Sequence, residues 1–128
     1  MEYPASYQYT KEHEWALVEN GAARIGITDH AQHALGDIVF VELPALGAEL
    51  TAGQVLGTVE SVKAVSDIFS PLAGKVAAVN TELALNPELV NQDPHGRGWL
   101  VQIELTPDAP PPKLLNAAEY AAYVAEEN

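Results

Sequence analysis

Apolar and polar residues alternate in short runs over most of this chain, and each run stops at a Gly, Pro or Asn signal, which is the pattern of a mainly β protein. Residues 14–19 and 22–27 flank Asn20-Gly21, a pair that supplies the positive φ angles of a tight turn, so 7–27 reads as an N-terminal hairpin. Thr28 or Asp29 can cap a short helix through Leu35, and Gly36 can end it in the left-handed conformation. The β-branched run 38–43, stopped by Pro44, predicts a buried strand. From there to Asn80, short strands are separated by Gly47, Gly53, Gly57, Pro71 and Gly74. The run Pro44-Ala-Leu-Gly47 recurs as Pro71-Leu-Ala-Gly74, each between two strands. Such an echo is short enough to arise by chance, but it fits two similar halves and hence a flattened barrel or sandwich of two small antiparallel sheets.

Further on, 86–90 predicts a single helical turn with Pro87 near its start, and Asp93-Pro-His-Gly-Arg-Gly98 a turn cluster feeding a last strand over 99–105. Pro107 and Pro110 through Pro112 predict a stiff, extended connector. A terminal helix follows. Asn116 is its expected N-cap with Glu119 three residues on, and Ala117, Tyr120, Tyr123 and Val124 share one face. Glu126 and Glu127 oppose the negative end of the helix dipole, so that end is expected to fray. The whole, 1–128, reads as a single domain with a core at 36–80, the N-terminal hairpin 7–27, and a C-terminal strand and helix within 99–127.

Composition narrows the function classes. With 48% apolar residues in 128, the chain can bury a core of ordinary size. No cysteine is present, which excludes disulfides, thiolate metal sites and Cys nucleophiles. Eighteen acids against six bases, a formal net charge of −12, argue against a nucleic-acid partner, because affinity there rests on neutralising phosphates. No stretch reaches the roughly 18 apolar residues of a membrane span, and the N-terminus lacks a basic segment followed by an apolar one. The expectation is a monomer in a bacterial cytoplasm with no membrane partner, or in the mitochondrial matrix if the chain is a processed eukaryotic form.

Candidate chemistry is sparse. His30 and His33 are three apart on the short helix and could hold a divalent metal with Asp29 or Asp37, but no third ligand at motif spacing joins them. His13 and His95 have no hydroxyl nucleophile at a recognisable elbow, and Gly96-Arg97-Gly98 precedes a strand where a phosphate site wants a helix. Paired carboxylates such as Glu12 and Glu14 are ordinary in so acidic a chain. Lys63 differs in kind. It is one of only four lysines, and it sits between two alternating runs that start at Gly57 and stop at Pro71, with small or apolar Ser61, Val62, Ala64 and Val65 around it. The reading is a hairpin whose tip displays one primary amine, either as a solvated charge or as an attachment point.

At these residues the chain resembles a known family. The segment 41–79, with Pro-x-x-Gly, Glu60-x-x-Lys63-Ala64 and Pro-x-x-Gly-x-Val, is similar to the biotinyl/lipoyl attachment domain. Biotin carriers typically have Met on both sides of the lysine; Val62 and Ala64 stand here, so the resemblance implies lipoate. The runs Tyr9-Thr-Lys-Glu-His-Glu-Trp15, Gly26-Ile-Thr-Asp-His-Ala-Gln32, Leu35-Gly-Asp-Ile-Val-Phe-Val-Glu-Leu-Pro44, Gly57-Thr-Val-Glu-Ser-Val-Lys-Ala64 and Asn91-Gln-Asp-Pro-His-Gly-Arg-Gly-Trp99 extend the likeness over nearly the whole chain, to the H proteins of the glycine cleavage system. His95 and Arg97 depart from the aromatic and the acid more usual in that turn.

The resemblance implies a two-sheet lipoyl-domain fold and a carrier without catalysis of its own, with lipoate joined to the Lys63 side-chain nitrogen by an amide. On that arm the aminomethyl group of glycine passes from a pyridoxal-phosphate glycine decarboxylase to an aminomethyltransferase that uses tetrahydrofolate, and an FAD-dependent dihydrolipoyl dehydrogenase reoxidises the dithiol. Lipoate-attaching enzymes are the further partners, with Glu60 part of the pattern they read. Glu14 and Asp67 match family positions near a cleft where the loaded arm rests and where carboxylates could bind a cationic amine, though both could equally be surface acids. A lipoyl relay to other complexes, or an unmodified acidic β-barrel adaptor, are the competing roles.

Overall fold

The structure, a computed structural model, describes residues 3–107 and 113–127. Among the described residues, nine strands form two sheets. The hairpin read from Asn20-Gly21 is present as β2 (Glu14–Glu19) and β3 (Ala22–Ile27), and Asn20 and Gly21 take φ of 51° and 77°. β1 (Gln8–Tyr9) adds to its outer side. Thr28 caps α1 (Asp29–Leu35) by accepting the Ala31 N–H, and Gly36 ends it at φ 83°. Next come β4 (Ile38–Glu42), β5 (Glu49–Leu50), β6 (Val55–Ser61), β7 (Val65–Phe69) and β8 (Gly74–Val79). A 3-10 turn, Thr81–Ala84, and α2 (Leu89–Gln92) precede β9 (Val101–Leu105). α3 (Ala117–Glu127) closes the chain, and Asn116 and Glu119 make the reciprocal capping bonds, each backbone N–H donating to the other's side chain at 2.9 and 2.8 Å. The connector residues Pro110 to Pro112 lie outside the described residues, while α3 itself continues through Glu127.

The larger sheet has the order β1-β2-β3-β9-β8-β5 and the smaller one β4-β6-β7. They face each other as a flattened sandwich and do not close into a barrel. Val41, Val59 and Ile68 from the small sheet and Ile25, Val76 and Ile103 from the large one fill the space between. The repeated Pro-x-x-Gly runs have one job: each carries the chain from the small sheet to the large one, from β4 to β5 and from β7 to β8, and β5 and β8 then pair antiparallel. Their glycines differ, since Gly47 needs its φ of 85°, whereas a Cβ on Gly74 would lie 2.5 Å from the Glu104 carbonyl oxygen. A second cluster of Tyr9, Trp15 and Tyr120 fastens α3 and β1 to the end of the large sheet.

Two expectations change. The run at 38–43 is an edge strand, not a buried one: Ile38 and Val41 point inward while Val39, Phe40 and Glu42 are exposed, because β4 has a neighbour on one side only and its outer face is uncovered. A bulge between Ile38 and Phe40 turns two consecutive side chains outward. The helical turn expected at 86–90 is displaced to Leu89–Gln92: the bonds from the Leu89 and Val90 N–H groups to the Asn86 and Pro87 carbonyls span three residues and make turns, and the four-residue helical bonding starts only where the Gln92 N–H donates to the Glu88 carbonyl. The two-residue strands β1 and β5 and the 3-10 turn carry no periodic signal in the sequence.

Gly57 holds the small sheet together at its centre. A Cβ there would sit 2.3 Å from the Glu42 carbonyl oxygen, a backbone atom with no freedom to move away. Gly57→Val is expected to destabilise the fold by about 3 kcal/mol or more, the upper end for overpacking, measured as a fall in the urea midpoint. An unchanged midpoint would contradict this packing.

Candidate functional site

β6 and β7 form the expected hairpin, and Lys63 is exposed at its tip. The tip contains no glycine and no left-handed residue. Ser61 closes it instead: its backbone N–H donates to the Ala64 carbonyl at 2.8 Å, and its hydroxyl oxygen accepts the N–H groups of Lys63 and Ala64 at 3.2 and 3.1 Å. A buried Ser one residue before the turn is the signal that sequence reasoning missed.

The tip is also fastened from outside the hairpin. Val62 donates its N–H to the Asp37 carbonyl at 3.0 Å, across to the corner between α1 and β4. Asn91 on α2 fixes that corner with every polar atom it has: Oδ1 accepts the Ile38 N–H, and Nδ2 donates to the Gly36 carbonyl and to Gln32 Oε1, all at 2.9 Å. The aliphatic stem of Lys63 passes Gly36, whose missing side chain leaves a gap of ordinary contact width, 3.6 Å from a built Cβ to the Lys63 Cε. Among the described residues, no carboxylate lies within ion-pair distance of the Lys63 nitrogen.

Glu60 and Asp67 come together on the outer face of the small sheet, both exposed, Glu60 level with Val65 and Asp67 level with Thr58. Glu14 is elsewhere and in a different state. It is 2% exposed at the start of β2, where its Oε1 accepts the Thr10 hydroxyl at 2.7 Å and its Oε2 accepts the Phe69 N–H at 3.2 Å, so the carboxyl joins the two sheets. It lines a cleft of about 610 Å³ between Thr10–Glu14, the Gly53 and Phe69–Pro71 turns, and the segment 113–115. Asp67 is not part of this wall; β7 runs from the lysine tip to the cleft, and Asp67 stands midway along it. The strand covers roughly 13 Å at 3.3 Å per residue.

Burial pushes the Glu14 carboxyl up from 4.5 to about 7, against the lowering effect of its two hydrogen bonds and with a small further rise from Glu12. Burial thus favours the neutral form of this carboxyl well above the pH at which a surface glutamate ionises. The histidines gather around α1 with structural roles. His95 accepts the Asp29 N–H at 3.1 Å, which requires a neutral ring, and burial lowers its pKa accordingly. His33 pairs with Asp29 at 3.2 Å, and the His30 ring lies against that of His13. Arg97 pairs with Glu82 at 3.0 Å. The two departures in the 93–98 turn are thus each provided with a local partner.

A single amine displayed on a hairpin tip, in a sandwich whose small sheet is tied at Gly57, is the arrangement of the biotinyl/lipoyl class of carriers. The comparisons narrow the class. The profile of the family described as "Glycine cleavage H-protein" matches residues 7–127. A glycine cleavage system H protein of Koribacter versatilis is 58% identical over 127 residues, covering 99% of this chain and 98% of that protein. The one from Rubrobacter xylanophilus is 53% identical over 126 residues, covering 98% of each. The crystal structure of a glycine cleavage system H protein from Mycobacterium marinum superposes with a TM-score of 0.86 at 40% identity, covering 94% of this chain and 97% of that one. This chain belongs to the glycine cleavage H-protein family. Neither the relay nor the unmodified adaptor is favoured by these similarities.

The folded state holds the Glu14 proton to about pH 7, while the unfolded chain releases it near 4.5. The contribution of this group to stability is therefore full in acid below about 4.5 and is lost as pH rises through about 7, by on the order of 3 kcal/mol. Relative to a Glu14→Gln variant, the wild type is expected to lose that stability between pH ~4.5 and ~8 in urea titrations. A difference independent of pH would show that the carboxyl titrates normally.

Proposed function

We propose that the whole chain acts as one carrier domain of the glycine cleavage system, with Lys63 as the residue that receives lipoate in amide linkage. The observation that carries this is an exposed amine, without an ion partner among the described residues, held at a fastened hairpin tip. When attached, lipoate supplies a dithiolane that takes up the aminomethyl group of glycine. The enzymes served are the pyridoxal-phosphate glycine decarboxylase, the aminomethyltransferase with tetrahydrofolate, and the FAD-dependent dihydrolipoyl dehydrogenase; lipoate-attaching enzymes prepare the carrier.

What the chain itself does is position, shelter and release. The rigid tip fixes one end of the arm and so raises the effective concentration of its other end at whichever enzyme is docked. Glu14 is the carboxyl placed to hold a cationic amine in the cleft, and Thr10 and the Phe69 N–H keep it oriented there. Asp67, exposed on the strand between tip and cleft, is a waypoint for the same charge. The cleft walls shield that end of the arm from water. A formal charge of −12 favours quick, weak encounters, which suit a carrier that every partner must let go. No thiol of its own competes with the dithiolane, since the chain has no cysteine.

Intact-mass measurement after incubation with a lipoate ligase, ATP and lipoic acid is expected to show one lipoyl adduct on the wild type and none on Lys63→Arg. That variant should keep the wild-type melting temperature, because an exposed tip contributes little burial, yet support no glycine cleavage in a reconstituted system. An adduct on the variant, or retained cleavage, would refute the assignment.

A further inference from the structure

We infer that Tyr120, on α3, is the positioning residue for Glu14: its buried hydroxyl sets the turn that aims the carboxyl into the cleft, and its ring seats the chain segment that forms another wall of that cleft. What the cleft receives rests on the carrier reading above; how it is built does not. Tyr120 is fully buried, at 0% exposure. Its hydroxyl lies 2.7 Å from Oγ1 of Thr28, the cap of α1, and 2.7 Å from Nδ1 of His13. A phenol oxygen carries one hydrogen and can accept another, so one group serves both partners. Three elements far apart in sequence, namely α3, the start of α1 and the turn before β2, thus meet at a single atom.

The turn is where the hydroxyl acts. His13 holds φ of 72°, a left-handed conformation that is unfavourable for a residue with a side chain and persists only where the surroundings fix it. Here the ring is bonded to Tyr120, the carbonyl accepts the Thr28 N–H at 3.0 Å, and the His13 N–H donates to the Thr10 carbonyl at 3.1 Å. Glu14 follows directly. Its N–H donates to the Thr10 hydroxyl oxygen at 3.0 Å, and the same hydroxyl donates to its Oε1, so the direction of the carboxyl is set by the turn and the turn by the ring. The second wall depends on the same helix. Leu115 and Tyr9 exchange both backbone bonds at 2.8 Å, Tyr9 stacks on Tyr120 with ring centroids 4.8 Å apart, and residues 113–115 and Glu119 line the cleft beside Glu14. Tyr9 is equally buried in this stack, but its hydroxyl donates to the Pro4 carbonyl and not to the turn. Stacking alone would hold α3 in place; only the Tyr120 hydroxyl joins α3 to the turn that carries Glu14.

The test compares Tyr120→Phe with Tyr9→Phe in the unmodified protein, since each removes one buried hydroxyl and keeps its ring. Both are expected to fold and to melt a few degrees below the wild type. Carbon-13 NMR titration of the Glu14 carboxyl then reads the positioning. The charged groups that line the cleft with it, Lys11 and Glu12 on its own turn and Lys113 and Glu119 on the C-terminal segment, are unchanged in both variants, so a shift reports the entry of water. For Tyr120→Phe the Glu14 midpoint is expected to fall by about one pH unit or more, and hydrogen exchange of the Phe69 amide, which donates to Glu14, to quicken about tenfold. For Tyr9→Phe both are expected to stay at wild-type values. His13→Gly accepts the left-handed backbone but has no ring to bond, so adding Tyr120→Phe to it is expected to change neither readout further. Equal shifts in the two Phe variants would make the hydroxyl a general stability contact, and an unshifted Glu14 in Tyr120→Phe would disconnect it from the cleft; either result overturns the inference. So would a Tyr120→Phe effect that persists in full on the His13→Gly background. Because every readout is taken without lipoate, a wild type that never accepts a lipoyl adduct would overturn the carrier reading and leave this result intact.

Discussion

One backbone hydrogen bond, from the Val62 N–H to the Asp37 carbonyl, ties the display of the amine to the rest of the molecule. A two-stranded hairpin is marginal by itself, and its tip is the first part to loosen. Here the loop is braced against the corner between α1 and β4, and that corner is itself locked by the three bonds of Asn91 and by the left-handed Gly36. The chain of constraint therefore runs from α2 through the corner to the tip, joining residues far apart in sequence. An arm swings usefully only if its root stays still, so a rigid anchor and a flexible cofactor are complementary requirements.

The same logic explains a buried acid in a chain with acid to spare. Glu14 would be far cheaper on the surface, and burial raises its pKa to about 7. It is retained in a place where its two oxygens are committed to Thr10 and to the Phe69 backbone, and where it borders the cleft. The tight turn before it, with His13 at φ 72° and bonded to the Tyr120 hydroxyl at 2.7 Å, aims β2 so that the carboxyl turns inward.

Local chemistry made much of this molecule legible. Asn20-Gly21, the caps at Thr28 and Asn116, the last strand, expected over 99–105 and formed from Val101, and the exposed Lys63 are statements made by neighbouring residues, and the structure contains each. What could not be read depends on partners distant in sequence. The burial of Glu14 is set by a backbone N–H 55 residues away, and β1 and β5 exist only because β2 and β8 offer them an edge. The run 38–43 misled for a physical reason: Val, Phe and Ile fit a pleated surface whether or not anything covers it, so composition alone cannot say that a strand lies at an edge.

That exposed edge bears on how a carrier reconciles opposite needs. Its encounters with enzymes that work on the arm must be brief, which a diffuse negative field and few apolar contacts favour. Attachment of the cofactor happens once per molecule and tolerates a slower, better-fitted complex. The exposed apolar side chains around the lysine tip and the cleft that Glu14 borders, a strand's length away, are separate in space.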